Sequence, residues 1–206
     1  MIRYAEMRFS GSGGQGLGLA GRIIAEAAIT EDYNVCQTQS YGPEARGGSS
    51  RTDVIISKDE ILFPNCRELD LLLAMNQESC SMYSSAVKDG GLIVVDSTFV
   101  DQLPTGNVYA LALTREAVSR FGNTLMANML ALGMISSLVS FFKPETWRKA
   151  VGVMVPARFH DVNLKAFDLG VEMGGELVKD HAVRKPVAFD RKQPVPECLR
   201  RKPKQG

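Results

Sequence analysis

Close to its start, the chain passes from a strand-like run, "AEMRFSG", through Ser10-Gly-Ser-Gly-Gly-Gln-Gly16 into "LGLAGRIIAEAAI". Alternating polar and apolar residues ending in glycine predict a strand, and apolar residues three and four apart predict a helix packed on one face. Apolar sequence closes on both sides of the glycines, so they form a tight connection inside a domain rather than a linker. Gly11, Gly13 and Gly16, with Gly14 and Gln15 between them, satisfy G-x-G-x-x-G at the position where that pattern has mechanical meaning. Glycine lets a backbone turn sharply and approach a ligand, while the helix start offers unpaired N–H groups to an anion. Three readings stay open from these residues: a dinucleotide, another phosphate-bearing or partner-held ligand, and turn geometry alone.

The dinucleotide reading also demands an acidic residue at the end of the second strand, about 20 residues on, to hold a ribose. That strand ends Gln37-Thr38-Gln39-Ser40, and Glu31 and Asp32 stand before it, at the wrong end. A stand-alone dinucleotide-binding module or reductase is therefore the weaker alternative. A P-loop is excluded, because no Lys-Ser or Lys-Thr follows the glycines.

Further strands are predicted at "YNVCQTQ", "RTDVIIS", "LDLLLAM", "LIVVDS" and "NVYALAL", and a helix closed by glycine at "NQESCSMYSSAVKDGG". "KDEILFPNC" forms a small detour. Alternation of strands and helices in 206 residues predicts one α/β domain: a doubly wound, mostly parallel, Rossmann-like sheet with a helical C-terminal part. The helical part comprises "TREAVSRFG", a helix from about 123 to 142, "PETWRKAVG" with proline at its first position, and "NLKAFDLGVEMGGELVKD". The domain is placed at 1–180 and a basic, proline-rich tail at 181–206.

Charge and cysteines exclude several classes. Residues 184 to 204 carry eight Lys and Arg against Asp190 and Glu197, which leaves the rest of the chain at −5 under a formal net charge of +1. Basic charge confined to a terminal segment with four of the nine prolines is no nucleic-acid surface, so no nucleic-acid partner is expected. Cys36, Cys66, Cys80 and Cys198 are widely spaced, with no CxxC pair and no nearby histidine, so they are read as reduced thiols holding no metal. With an N-terminus too polar for a secretory signal, the expected location is cytoplasmic. The 22 uncharged residues from Phe121 to Phe142 match a bilayer in length, but their Asn, Thr and Ser content predicts a helix buried against protein and no membrane partner.

The second glycine-rich segment, Ser40-Tyr-Gly-Pro-Glu-Ala-Arg-Gly-Gly48, puts Tyr41, Glu44 and Arg46 among Gly42, Pro43, Gly47 and Gly48. Loops after the first two strands of such a sheet emerge at one carboxyl edge, so the two loops should be neighbours. Arg46 has the fork for a phosphate or carboxylate, and Glu44 the charge to hold Arg46 or a partner residue. An internal Glu44–Arg46 pair that only stabilises the loop is the plainer reading. His160 and His181 are read as ordinary core or surface residues, and no nucleophile and base can be paired from sequence.

These two motifs, together with Gly122-Asn-Thr-Leu-Met-Ala-Asn128, resemble the gamma subunit of the 2-oxoacid:ferredoxin oxidoreductases over roughly residues 5 to 178. The second motif is the more specific. Tyr41 and Ala45 resemble the 2-oxoglutarate branch more than the pyruvate branch, which tends to carry phenylalanine and a second arginine there. The resemblance implies a multisubunit enzyme that decarboxylates a 2-oxoacid oxidatively, passes electrons to ferredoxin and releases an acyl-coenzyme A. It further implies alpha and beta partners and a ferredoxin-like subunit, with thiamine diphosphate, Mg and iron–sulfur clusters on those partners. The gamma domain itself would hold no cofactor alone and would contact coenzyme A. Gly11, Gly13, Gly14, Gln15, Gly16, Tyr41, Gly42, Pro43, Glu44, Arg46, Gly47, Gly48, Asn123 and Asn128 are its candidate binding residues, with no catalytic residue among them. The small subunit of indolepyruvate:ferredoxin oxidoreductase, which shares this domain, is a further alternative.

Overall fold

A computed structural model of the chain describes residues 3–42, 48–139, 141–180 and 192–193. Strand β1 (Tyr4–Ser12) runs into helix α1 (Leu17–Thr30), followed by β2 (Asn34–Tyr41) and β3 (Ser49–Ser57). Next come β4 (Leu69–Ala74), α2 (Gln77–Tyr83), β5 (Val87–Asp96) and β6 (Asn107–Leu111). Helices α3 (Leu113–Phe121), α4 (Ala127–Leu138), α5 (Pro144–Met154) and α6 (His160–Asp180) complete the described part, so the predicted α/β class with a helical C-terminal part is observed. The predicted tail lies outside the described residues, apart from 192 and 193.

The six-stranded sheet has the order β2-β3-β1-β4-β5-β6. β1, β4, β5 and β6 pair in parallel, whereas β3 pairs antiparallel with both β1 and β2. Five strands thus share one direction and β3 alone opposes them. The "SYGPEARGGSS" segment is shorter than its composition predicts, because β2 runs through Tyr41 and β3 starts at Ser49. So short a connection makes a hairpin and cannot hold a parallel crossover, which needs a dozen residues or more.

Alternation in β1 sorts its side chains between two unlike faces. Ala5, Met7 and Phe9 join Ile23, Ile24, Val54, Leu71, Leu73 and the α4 residues in the main core. Glu6, Arg8 and Ser10 face the other side and are buried polar groups. Glu6 accepts from the backbone N–H groups of Arg67 and Glu68, which pins the irregular 58–68 segment over the sheet. Arg8 forks onto Asp53 with two 2.7 Å hydrogen bonds and stacks 4.7 Å from the Tyr83 ring. Burial works against the Arg8 charge, but the hydrogen bonds and charge of Asp53 outweigh it and hold the guanidinium above its ordinary pKa. Further along this face, Leu72, Ala74, Ile93 and Val95 form a smaller apolar cluster with Cys80 of α2.

Two predicted elements differ. The helix expected to reach the Gly90-Gly91 pair ends at Tyr83, and after a short 3-10 turn, Ser84–Ala86, the chain enters β5. Val87 pairs with Leu69 before the register jumps to Leu71 opposite Leu92, and the kink is taken up by Gly90 at φ +76°. The uncharged run divides into a 3-10 turn, Thr124–Met126, and the 12-residue α4. At 1.5 Å per residue that helix is about 18 Å long, and among the described residues no helix is long and apolar enough to cross a membrane. Residues Ala127 to Ile135 are all buried within this chain, so this stretch of the run is internal core, whereas Gly122 to Leu125 are exposed.

α4 and α6 touch backbone to backbone. A Cβ on Gly133 would collide with the Phe167 carbonyl oxygen, and one on Gly170 with the Leu130 carbonyl oxygen. Gly133→Ala is expected to destabilise the chain by about 1–3 kcal/mol or more, because neither backbone can yield. Denaturant melts of the two proteins measure this, and an unchanged midpoint would show that the helices separate freely.

Candidate functional site

The carboxyl ends of β1 and β4 lie side by side, yet their following helices leave in opposite directions. α1 packs in the main core, and α2 contributes Cys80 to the cluster on the other face. This is a topological switch point, the place where open parallel sheets leave a crevice. A cleft of about 420 Å³ lies there, lined by Ser12, Gly13, Gly14 and Gln15 after β1, Met75 and Asn76 after β4, and Phe99, Thr114 and Thr124 from following segments.

Local chemistry shapes the glycine loop. Gln15 folds back so that its Oε1 accepts from the Ser12 N–H at 2.7 Å, and a Cβ on Gly11 would occupy the place of that side chain. Gly16 adopts φ +74° and immediately precedes α1, and a Cβ there would strike the Asn128 amide. Asn128 Nδ2 donates to the Gly16 carbonyl at 3.2 Å from the first turn of α4, while its Oδ1 is buried with no hydrogen-bond partner. No acidic residue stands in the first turn of α1, so nothing there opposes an anion.

The two motif loops meet. Gly13 N–H donates to the Gly48 carbonyl at 2.6 Å, and Gly42 N–H donates to Ser49 O at 2.8 Å to close the hairpin base. Pro43, Glu44, Arg46 and Gly47 lie outside the described residues. Tyr41 is 67% exposed at the end of β2, donates its hydroxyl to Gln39 Oε1 at 2.9 Å, and is not among the residues lining the cleft.

The third motif divides its labour. Asn123 caps the 3-10 turn by accepting from Leu125 N–H at 2.9 Å, Thr124 lines the cleft, and Asn128 braces the glycine loop from behind. Asn128 is 4% exposed, so its geometry is that of a support for the loop rather than an open contact.

Sequence reading missed Ser12, Met75, Asn76, Phe99, Thr114 and Thr124 as cleft residues. Asn76 had a legible signal, since it follows a buried strand and caps α2 by accepting from Ser79 N–H at 2.9 Å. Its Nδ2 also donates to Ser12 Oγ at 3.0 Å, tying the two strand ends together. Phe99 and Thr114 had none, because only folding brings them to this edge.

His160 contacts the Val155 carbonyl at 2.6 Å, a local structural bond. Cys36 and Cys66 are half-buried and Cys80 is buried, and burial pushes all three thiols up from their ordinary pKa. Among the described residues no group of three or more His, Cys, Asp and Glu side chains is placed to hold a metal ion.

Comparison with known proteins gives a family. Residues 6–173 match the family model described as pyruvate ferredoxin/flavodoxin oxidoreductase. The 2-oxoglutarate synthase subunit KorC of Archaeoglobus fulgidus is 38% identical over 183 residues, covering 89% of this chain and 95% of that protein. KorC of Methanocaldococcus jannaschii is 38% identical over 177 residues, covering 84% and 95% respectively. A keto/oxoacid ferredoxin oxidoreductase gamma subunit from Geobacter sulfurreducens superposes with a TM-score of 0.73 at 44% identity, covering 82% of this chain and 98% of that one. The chain belongs to the pyruvate ferredoxin/flavodoxin oxidoreductase family.

Proposed function

We propose that the chain is the gamma subunit of a 2-oxoacid:ferredoxin oxidoreductase acting on 2-oxoglutarate, and that its glycine-loop edge meets coenzyme A. The observation that carries this reading is the Gly13–Gly48 hydrogen bond, which joins the two motif loops into one edge beside the cleft. Coenzyme A bears a diphosphate and a further phosphate. The N-terminus of a 14-residue helix, two glycines at positive φ and a first turn without carboxylates fit such a group. Arg46, in the hairpin loop, would add a forked cation. Coenzyme A supplies the thiol that carries away the acyl product. This chain's residues bind and orient it, Asn128 and Gln15 fixing the loop that does so.

Decarboxylation and electron transfer belong, in this reading, to alpha, beta and ferredoxin-like subunits, which would hold thiamine diphosphate, Mg and iron–sulfur clusters, with ferredoxin as the acceptor of the complex in the cytoplasm. Cys36, Cys66 and Cys80 stand on β2, on the 58–68 segment and in α2, and make no ligand set with one another. The dinucleotide alternative is disfavoured by topology as well as by sequence. β3 occupies the place beside β1 where a ribose-binding carboxylate would be carried on β2.

The purified chain alone is expected to show no 2-oxoglutarate decarboxylation with added thiamine diphosphate and no tight binding of NADH or FAD. Turnover, or tight dinucleotide binding, by the lone chain would overturn the subunit reading. In the reconstituted complex, Arg46→Ala should weaken use of coenzyme A or assembly by about 1.5–3 kcal/mol, or 10- to 150-fold, as loss of a charge-assisted hydrogen bond does. Unchanged kinetics and assembly would leave Arg46 a loop residue only. Gly16→Ala should cost about 1–3 kcal/mol through its positive φ and lower activity with coenzyme A while the circular dichroism of the sheet persists; wild-type activity would show that the loop's shape is immaterial.

A further inference from the structure

A sheet has two edges, and this one treats them differently. β6 is a five-residue strand that follows Pro104 and Gly106, a short edge of the kind that discourages pairing. β2 spans eight residues, "NVCQTQSY", with neither charge nor proline. It pairs with β3 over eight consecutive positions, from Asn34 opposite Ser57 to Tyr41 opposite Ser50, with no bulge. Among the described residues no strand lies beyond it, and Gln39, Ser40 and Tyr41 are exposed. Charge, proline, shortness and bulging are the usual protections of an edge. β2 has none of them.

We propose that β2 pairs antiparallel with β2 of a second copy of this chain, about a two-fold axis at Thr38, so that two six-stranded sheets become one. In this register the strand makes only uncharged cross-strand pairs. Thr38 faces Thr38, Gln37 faces Gln39, Cys36 faces Ser40 and Val35 faces Tyr41, each pair on a common face of the sheet. Thr–Thr and aromatic–β-branched pairs stabilise neighbouring strands, and no charge has to be desolvated. Tyr41, 67% exposed in the single chain, gains a partner in Val35, which packs at the margin of the main core. Centring the pair on Gln37 instead would carry Tyr41 past the end of the ladder. One strand pair is a small interface, so the dimer should be of micromolar strength and dynamic. This inference does not depend on the proposed function.

The full chain is expected to show a concentration-dependent monomer–dimer equilibrium in sedimentation. Ser40→Cys tests the register. Opposite residues of an antiparallel pair lie about 4.5–5.5 Å apart between Cα atoms, within reach of a disulfide. Under mild oxidation Ser40→Cys should form a covalent dimer through Cys36 of the second copy, and Ser40→Cys with Cys36→Ser should not. Within one copy, positions 36 and 40 are four residues apart along a strand, about 13 Å, and cannot bridge. A wild-type chain that stays monomeric throughout the micromolar range would overturn the proposal. So would a Ser40→Cys chain that fails to cross-link, or a cross-link that survives Cys36→Ser.

Discussion

Nine consecutive residue pairs hold β3 against β1, from Tyr4 opposite Ser57 to Ser12 opposite Ser49, and the candidate site depends on that register. It ends where the first motif loop begins and the second one closes, so that the Gly13 N–H reaches the Gly48 carbonyl at 2.6 Å. Arg8 and Asp53 are opposite each other in the middle of this ladder, with both side chains nearly enclosed. A buried ion pair is weak support for stability, because desolvation offsets most of the attraction. Its force here lies in specificity. A one-residue slip would turn Asp53 toward the apolar core and leave Arg8 buried without its carboxylate.

The same register explains why the two sheet faces differ. One face takes Met7, Phe9, Val54, Leu71 and Leu73 into a core completed by α1 and the α4 helix. On the other, Glu6 accepts backbone N–H groups from the irregular 58–68 segment, and Arg8, paired with Asp53, lies against the Tyr83 ring at the end of α2. α1 and α2 lie on opposite sides of the sheet, and the cleft opens between the strands that precede them. Rigid packing then reaches the loop from behind. α6 holds α4 at glycine contacts, and Asn128 of α4 holds the Gly16 carbonyl.

Membership of the oxidoreductase family gives this arrangement a setting. The chain spans nearly the whole length of its KorC relatives, so the cleft and both loops form within a unit of the size those relatives have. At the cleft the described residues supply backbone N–H groups, glycine turns and the amide brace of Asn128.

Sequence by itself determined the α/β class, the glycine loop between β1 and α1, the buried character of the uncharged run, and the motifs that carry the family resemblance. These follow from local rules: side-chain period, glycine freedom at positive φ, and the lack of an acidic residue where a ribose would need one. Tertiary structure alone decided that β3 enters between β1 and β2, that "VKDGG" belongs to a strand rather than a helix, and that Asn128 supports the loop from behind. It also brought Asn76, Phe99 and Thr114 to the cleft. The physical reason is common to these cases. Strand order, register and the meeting of distant segments are set by which long-range pairings bury the most surface with their polar groups satisfied, and a local pattern in the chain holds no record of its distant partner.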